Sequence, residues 1–328
     1  MNVGRRSLLS AGAGVGLSVA FPSLVNAGLT APLLLVLDID TPGARASFDD
    51  FKRVLDRRFA LAPMRPIVRF IAVDDAETDT NRAAIRQVLG AARADIILAA
   101  NGGLARMAAA AALSVPIIFF NVSDPIAFGL TDSLTRPNKG MTGFTLGTSS
   151  DRKRREMLVR LFPACRVMGL LSSKQDIGEG IRQVGDTVDP MPGIQQMRFD
   201  CETLEDLTRM VKSAAARRID GWDVAYVHVP FRYPEETVRR FDQLKKPVIY
   251  PRMKHIRAGG MAAFEPKIEE ADEAWVSQVA SLLAGVPIEN IPIIQATRYS
   301  FGLNLKACRR VGVEPPKSLL RIADLVIE

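Results

Sequence analysis

The sequence predicts an α/β protein built as two successive units, each with a parallel sheet covered on both faces. Three observations predict it. Short apolar runs alternate with segments of helical periodicity, joined by short loops. The runs are nearly continuous in apolar residues, as in strands buried on both faces. The alternation pauses at a turn-rich link near residues 138–146 and then begins again.

In the first unit, strands are expected at residues 32–37, 67–73, 94–99 and 115–120. The helix expected at 47–58 puts Phe48, Phe51, Val54 and Leu55 on one face. A second, 80–92, starts behind Asp79 or Thr80 as N-cap, and a third, 104–113, is rich in alanine. In the second unit, helices are expected at 150–162, 175–186, 203–218 and 235–244. The strands between them are 167–171, 196–199, 224–229 and 247–250. Glu205 near the start of the third of these helices resembles a capping box.

The tail differs in character. A helix at 269–284 opens on acids that suit its dipole. An extended, proline-punctuated link covers 287–297, and helices are expected at 303–311 and 318–327, separated by Pro315-Pro316. Such a tail does not make a third domain. It is read as returning to the first unit and crossing back, so that 28–143 with about 256–290 forms one lobe. The other is 144–255 with about 291–328.

Apolar content of 48% and charged content of 24% over 328 residues are those of a soluble globular protein. Arg5-Arg6 precede an uncharged run, residues 7–25, and Val25-Asn26-Ala27 suits a cleavage site. Residues 1–27 therefore read as a twin-arginine secretory signal, and the protein as periplasmic. The run is broken by Gly12, Gly14, Gly16 and Pro22, which argues against a membrane anchor. The glycines of that run follow no strand, so they are not a dinucleotide fingerprint. Cleavage removes two arginines and lowers the net charge from +7 to +5. The densest basic cluster, Arg152-Lys153-Arg154-Arg155, is read as a solvated helix face or a contact for an acidic surface. No nucleic-acid motif is present. Cys165, Cys201 and Cys308 are far apart, and either one disulfide or buried free thiols fits them. With two histidines, His228 and His255, and no ligand spacing, no metal site is expected.

Candidate functional residues follow from where the strands end, because open α/β sheets bind ligands at their carboxyl edge. The run 115–120 ends in Asn121-Val122-Ser123-Asp124-Pro125, placing Asn121, Ser123 and Asp124 to meet a ligand or to form an Asx/Pro turn. Asp38-Ile39-Asp40 after the first strand is similar to the nucleophile motif of haloacid-dehalogenase-like phosphotransferases, but Thr41-Pro42 replaces the Gly-Thr expected there.

Several stretches together resemble the substrate-binding proteins of bacterial ABC importers, in particular the tryptophan/tyrosine-type branch. They are Val115-Pro116-Ile117-Ile118-Phe119, Ser123-Asp124-Pro125, Gly129-Leu130, Ser133-Leu134, Arg136-Pro137 and Thr142-Gly143. A second set comprises Gly259-Gly260, Asn304-Leu305-Lys306, Gly312, Pro315-Pro316, Ser318-Leu319-Leu320 and Ala323-Asp324-Leu325-Val326-Ile327-Glu328. The resemblance implies a type I periplasmic-binding fold, with two Rossmann-like lobes around a central cleft and three hinge crossings. It implies a monomer that captures a small molecule and delivers it to an inner-membrane ABC permease, with no cofactor and no catalysis. Carried across, it offers Asp40, Thr41, Asn101, Gly102, Gly103, Asn121, Ser123 and Asp124 in the first lobe. In the second it offers Ser172, Ser173, Phe231, Arg232, Tyr250 and Arg252. The Asn101-Gly102-Gly103 amides would receive a carboxylate, Phe231 or Tyr250 would stack on a planar ligand, and an arginine would clamp an anion. The family often carries a polar pair such as Asp-Asn after the Val-Pro of the second lobe. Here Val229-Pro230 is followed by Phe231-Arg232-Tyr233, which points away from ammonium recognition and toward an anionic or aromatic ligand.

The signal reading predicts a mature chain that begins near Gly28. Mass spectrometry of the exported protein will show that mass; an intact Met1 would refute the reading.

Overall fold

A computed structural model of the protein describes residues 30–74, 77–111, 114–173, 190–225 and 227–328. The segment read as an export signal and the helix expected at 175–186 lie outside the described residues.

The first sheet is wholly parallel. Its strands are β1 (Leu33–Asp38), β2 (Ile67–Ala72), β3 (Ile96–Ala99), β4 (Ile117–Val122), β5 (Met141–Thr145) and β11 (Ile294–Gln295), ordered β11-β5-β4-β3-β1-β2. Leu34 to Leu37 and Ile96 to Ala99 are buried in succession, as expected of strands covered on both faces. Helices α1 (Pro42–Arg58), α2 (Asp79–Ala92) and α3 (Gly102–Ala111) link β1 to β4. The first begins five residues before its apolar periodicity does. Thr41 accepts the Ala44 amide and Pro42 occupies the first turn, and these local signals start the helix. Helix α2 is capped by Thr78, one residue before the expected Asp79.

The stretch read as a link contains a strand. All five residues of β5 are buried. At Gly143 an added Cβ would lie 2.2 Å from the Phe119 carbonyl oxygen, so only glycine fits beside β4.

The second sheet is ordered β13-β12-β10-β9-β8-β6-β7. Its members are β6 (Val167–Ser172), β7 (Gln195–Asp200), β8 (Gly221–Val224), β9 (Val248–Tyr250), β10 (Ala262–Pro266), β12 (Tyr299–Asn304) and β13 (Leu325–Ile327). Among the described residues only β10 and β12 pair antiparallel. Its helices are α4 (Thr148–Leu161), α5 (Leu204–Lys212), α6 (Ala214–Arg217), α7 (His228–Arg232), α8 (Pro234–Phe241) and α9 (Met253–Arg257), with two more in the tail.

Several expectations are corrected here. The helix expected over 203–218 is broken at Ser213, whose side chain accepts the Ala216 amide and caps a new segment. The strand expected at 224–229 ends at Val224, and α7 follows, because β8 starts earlier and carries a buried charge, Asp223, that apolar patterning cannot show. The tail helix expected from residue 303 begins only at Leu305. Asn304 caps this α11 (Leu305–Arg310) by accepting the Ala307 amide, and β12 occupies the residues before it. The last helix, α12 (Lys317–Ile322), stops early, and 325–327 pair with β12 instead. The sheets also divide the tail differently from the expected lobes. Strand β10 lies in the second sheet and Ile294–Gln295 in the first, because these residues find hydrogen-bonding strand edges there.

The chain passes between the two sheets three times: from β5 to α4, from β10 to α10 (Ile268–Leu283), and from β11 to β12. The last two passages are tied together. The Lys267 amide donates to the Arg298 carbonyl at 3.0 Å, and the Glu270 carboxylate accepts the Thr297 and Arg298 amides. Helix α10 packs on the first sheet, where Trp275 Nε1 donates to the Phe119 carbonyl at 3.1 Å and Gln278 Nε2 to the Gly143 carbonyl at 2.9 Å.

The basic cluster at the start of α4 is not wholly solvated. Arg154 and Arg155 are buried, and Arg154 holds Asp223 through two hydrogen bonds and Asp151 through one at 2.8 Å. Arg155 lies 3.7 Å from the same Asp223 carboxylate. The three cysteines are buried and free.

Removing one partner of a buried ion pair leaves the other charge uncompensated. Asp223→Ala is therefore expected to destabilise the protein by about 3–5 kcal/mol, measured by urea unfolding. A loss below 1 kcal/mol would show that the arginines re-solvate.

Candidate functional site

A cavity of about 110 Å³ lies at the carboxyl ends of the strands and takes its walls from both lobes. Strand β1 brings Val36 and Asp38, and the start of α1 brings Thr41, Gly43, Ala44, Ser47, Phe48 and Phe51. Ala100, Phe120 and Asn121 follow β3 and β4, and α10 adds Ala271, Asp272 and Trp275. Across the cavity, the second lobe contributes Phe231 from α7 and Arg252 and Lys254 from the segment after β9.

The aromatic wall is rigid. Trp275 packs edge-on against Phe51 and Phe120, with ring centroids 5.5 and 5.1 Å apart, and its indole N–H is anchored on the Phe119 carbonyl.

Asn121 is held in an unusual conformation, with φ at +54°, where the register between β4 and β5 shifts. Its Nδ2 donates to the Ala100 carbonyl at 3.1 Å. That bond fixes the amide's orientation, because a flipped amide would set two oxygens against each other. Oδ1 is left buried with no hydrogen-bond partner among the described residues.

Arg252 is paired with Glu265 at 2.7 Å. Lys254 donates to the Phe231 carbonyl and sits 4.1 Å from the Phe231 ring centroid, with no carboxylate partner among the described residues. Burial, and then the Arg252 charge, bring its amine down to about 8. On the opposite wall Asp272 likewise has no ion-pair partner among the described residues. Burial, and then the Glu269 charge, push its carboxyl up to about 7.

Four of the sequence candidates thus line one cavity: Thr41, Asn121, Phe231 and Arg252. The others are placed elsewhere or occupied. Asp40 is exposed and paired with Arg45 at 2.6 Å, and that bond lowers its pKa. Asp38 and Asp40 therefore do not share the cavity as the phosphotransferase pattern requires. Asn101 Oδ1 accepts the Leu104 amide at 2.9 Å and caps α3. Gly102 is covered by Phe128, whose ring atom would lie 2.7 Å from an added Cβ, and it is outside the cavity lining. Gly103 sits beside it, outside the cavity lining. Ser123 gives its carbonyl to the Thr145 hydroxyl. Asp124 Oδ1 accepts the Ile126 and Ala127 amides at 3.0 Å, which makes it the turn former of the two readings. Ser172 ends β6, and Ser173 donates to Glu202 at 2.6 Å. Arg232 lies over the Tyr233 ring, away from the cavity. Tyr250 is buried, and it stacks on His255 at 5.0 Å rather than on a ligand.

Sequence reasoning missed Phe48, Phe120, Lys254, Asp272 and Trp275 as cavity residues. Four of them sit inside expected helices or strands or beside them, where their types read as core or surface. Only Asp272, an acid on the same acid-rich first turns of α10, carried a signal, and it was read as a dipole effect.

His255 is buried in the second lobe. Its Nδ1 lies 3.1 Å from the Arg252 carbonyl and its Nε2 3.0 Å from that of Pro230, and the neutral ring, with a single N–H, donates to one of the two. Burial outweighs those two carbonyls and drops its pKa to about 3.

Residues 69–327 match the model of the ABC transporter substrate binding protein family, and the chain belongs to that family. Its fold is that of solved relatives. An ABC domain in complex with L-Trp from Streptococcus pneumonia has 18% identity and a TM-score of 0.79, with 91% of this chain and 100% of that one covered. A conserved domain protein from Vibrio cholerae has 17% identity, the same TM-score and the same coverage. A ligand-free, open substrate-binding protein with adhesive properties from Clostridium difficile has 17% identity and a TM-score of 0.65, over 91% and 99% of the two chains. No curated protein matches the sequence. Family membership identifies a binding protein rather than an enzyme. Among the described residues no helix is long and apolar enough to cross a membrane.

His255 predicts a pH dependence of stability. The unfolded chain binds a proton on this ring near pH 6.5 and the folded protein only near 3. The contribution is fully present above 6.5 and is lost as pH falls toward 3, at up to about 1.4 kcal/mol per pH unit. Urea unfolding across that window will show the slope, and His255→Gln will flatten it; an unchanged slope would show that other groups carry it.

Proposed function

We propose that the protein is an exported receptor of an ABC importer. It captures a small molecule between its lobes and delivers it to an inner-membrane permease. The observation that carries this reading is the cavity walled by both lobes, with Trp275, Phe120 and Asn121 on one side and Phe231, Arg252 and Lys254 on the other. A ligand touching both walls favours the closed arrangement through differential contacts, and the three crossings supply the hinge. The aromatic lining and the cations suit an amino acid, an aromatic compound or a small anion. The Streptococcus pneumonia relative solved with L-Trp supports the first two.

Thermal-shift and calorimetric titration against amino acids, aromatic acids and small anions should give one saturable ligand. Phe231→Ala should weaken it at least about tenfold, the scale of a stacked aromatic contact, without lowering Tm. Turnover of a substrate with no saturable binding would overturn the reading.

A further inference from the structure

The edge of the second sheet opposite the cavity is cationic. Parallel strands start at one edge, so the residues that precede them stand together there. Arg166 precedes β6, Arg217 and Arg218 precede β8, and Lys245 and Lys246 precede β9. Backbone bonds set these segments side by side. The Arg166 amide donates to Asp220 Oδ2 at 2.9 Å, and the Trp222 amide donates to the Pro247 carbonyl at 2.9 Å. Strand β12 runs antiparallel to β10 and ends at the same edge, and Arg310 behind it donates to Asp242 at 3.0 Å and to the Gly259 carbonyl at 3.1 Å.

Arg166, Arg217, Arg218 and Lys245 are exposed and Lys246 is half-buried, and none has a carboxylate partner among the described residues. Two acids stand among them. Asp220 accepts the Arg166 and Val167 amides, and Asp242 is paired with Arg310. Glu328 follows β13, at the outer margin of the sheet. Cations at helix ends offset the helix dipole, but that does not account for this edge. In the first lobe α2, α3 and α10 end with no basic residue in the last turn. In the second, Arg166, Lys245 and Lys246 stand outside the α-helices.

Like charges held together repel one another, and a counter-charged surface relieves that repulsion. These cations come from separate loops, and from β6 to β12 they span four strand spacings, roughly 19 Å at about 4.8 Å each. An extended cationic front of this kind suits a diffuse anionic surface rather than a discrete ligand. We propose that this edge of the second lobe rests on an anionic phospholipid surface, with the cavity at the other end of the strands. The inference is independent of which molecule fills the cavity.

The test is co-sedimentation with vesicles of phosphatidylcholine, alone or with about one third phosphatidylglycerol, which makes the surface anionic. The protein should sediment with the anionic vesicles only. Salt at about 1 M, where the Debye length is about 3 Å, should release it. Lys245→Gln combined with Lys246→Gln should weaken vesicle binding about 25-fold, about fivefold for each cation removed, with Tm unchanged. Arg57→Gln combined with Arg58→Gln, at the exposed end of α1 in the first lobe, lowers the net charge equally and should leave binding unchanged. Equal loss with either pair would show that net charge alone attracts the protein, and would overturn the proposal. Equal sedimentation with both kinds of vesicle, or with neither, overturns it too. Retention on an immobilised acidic polypeptide without vesicle binding also overturns it, and assigns the edge to an acidic protein partner. None of these outcomes bears on the receptor reading, which ligand titration decides.

Discussion

A parallel strand buried on both faces cannot continue once it leaves its covering helices, and it must hand the chain to a loop at its carboxyl edge. That constraint organises this protein. Both sheets are built almost wholly of such strands, and the walls of the cavity hang from their ends: Asp38 from β1, Ala100 from β3, Asn121 from β4, Arg252 from β9. The apolar sheet interior keeps those ends in place, so polar residues that would be costly inside a core stand at its margin.

Helix α10 is the second determinant. It enters late in the chain yet packs on the first sheet, where its Trp275 and Gln278 donate to carbonyls of β4 and β5. Those bonds set the helix's rotation, and the rotation carries Asp272 into the cavity three residues before Trp275. The same helix begins at the second crossing, where Glu270 grips the third. The second crossing and one wall of the cavity therefore belong to a single helix.

Charge is treated in two opposite ways within the second lobe. Away from the cavity lining, Asp223 is enclosed by Arg154 and Arg155, and at the cavity Arg252 is matched by Glu265. At the cavity face Lys254 is matched by no acid among the described residues. The contrast is informative because an unpaired charge in a low-dielectric setting is disfavoured, so the fold pairs charges where they only support structure.

The sequence by itself determined the class of fold and most of its first unit, because apolar runs and helix caps are local signals. It also pointed to the strand ends, and four of its candidates, Thr41, Asn121, Phe231 and Arg252, line the cavity there. Local signals misled where a residue type has two uses. Asp124 forms a turn, Asn101 caps α3, Gly102 leaves room for Phe128, and Tyr250 is core. Only the tertiary structure decided that 141–145 and 325–327 are strands, since each is stabilised by the strand beside it and not by its own pattern. It alone placed Lys254 opposite Asp272, which follows it by only 18 residues but belongs to the other lobe. No periodicity encodes that meeting, because it depends on how the returning helix is packed rather than on what the helix is made of.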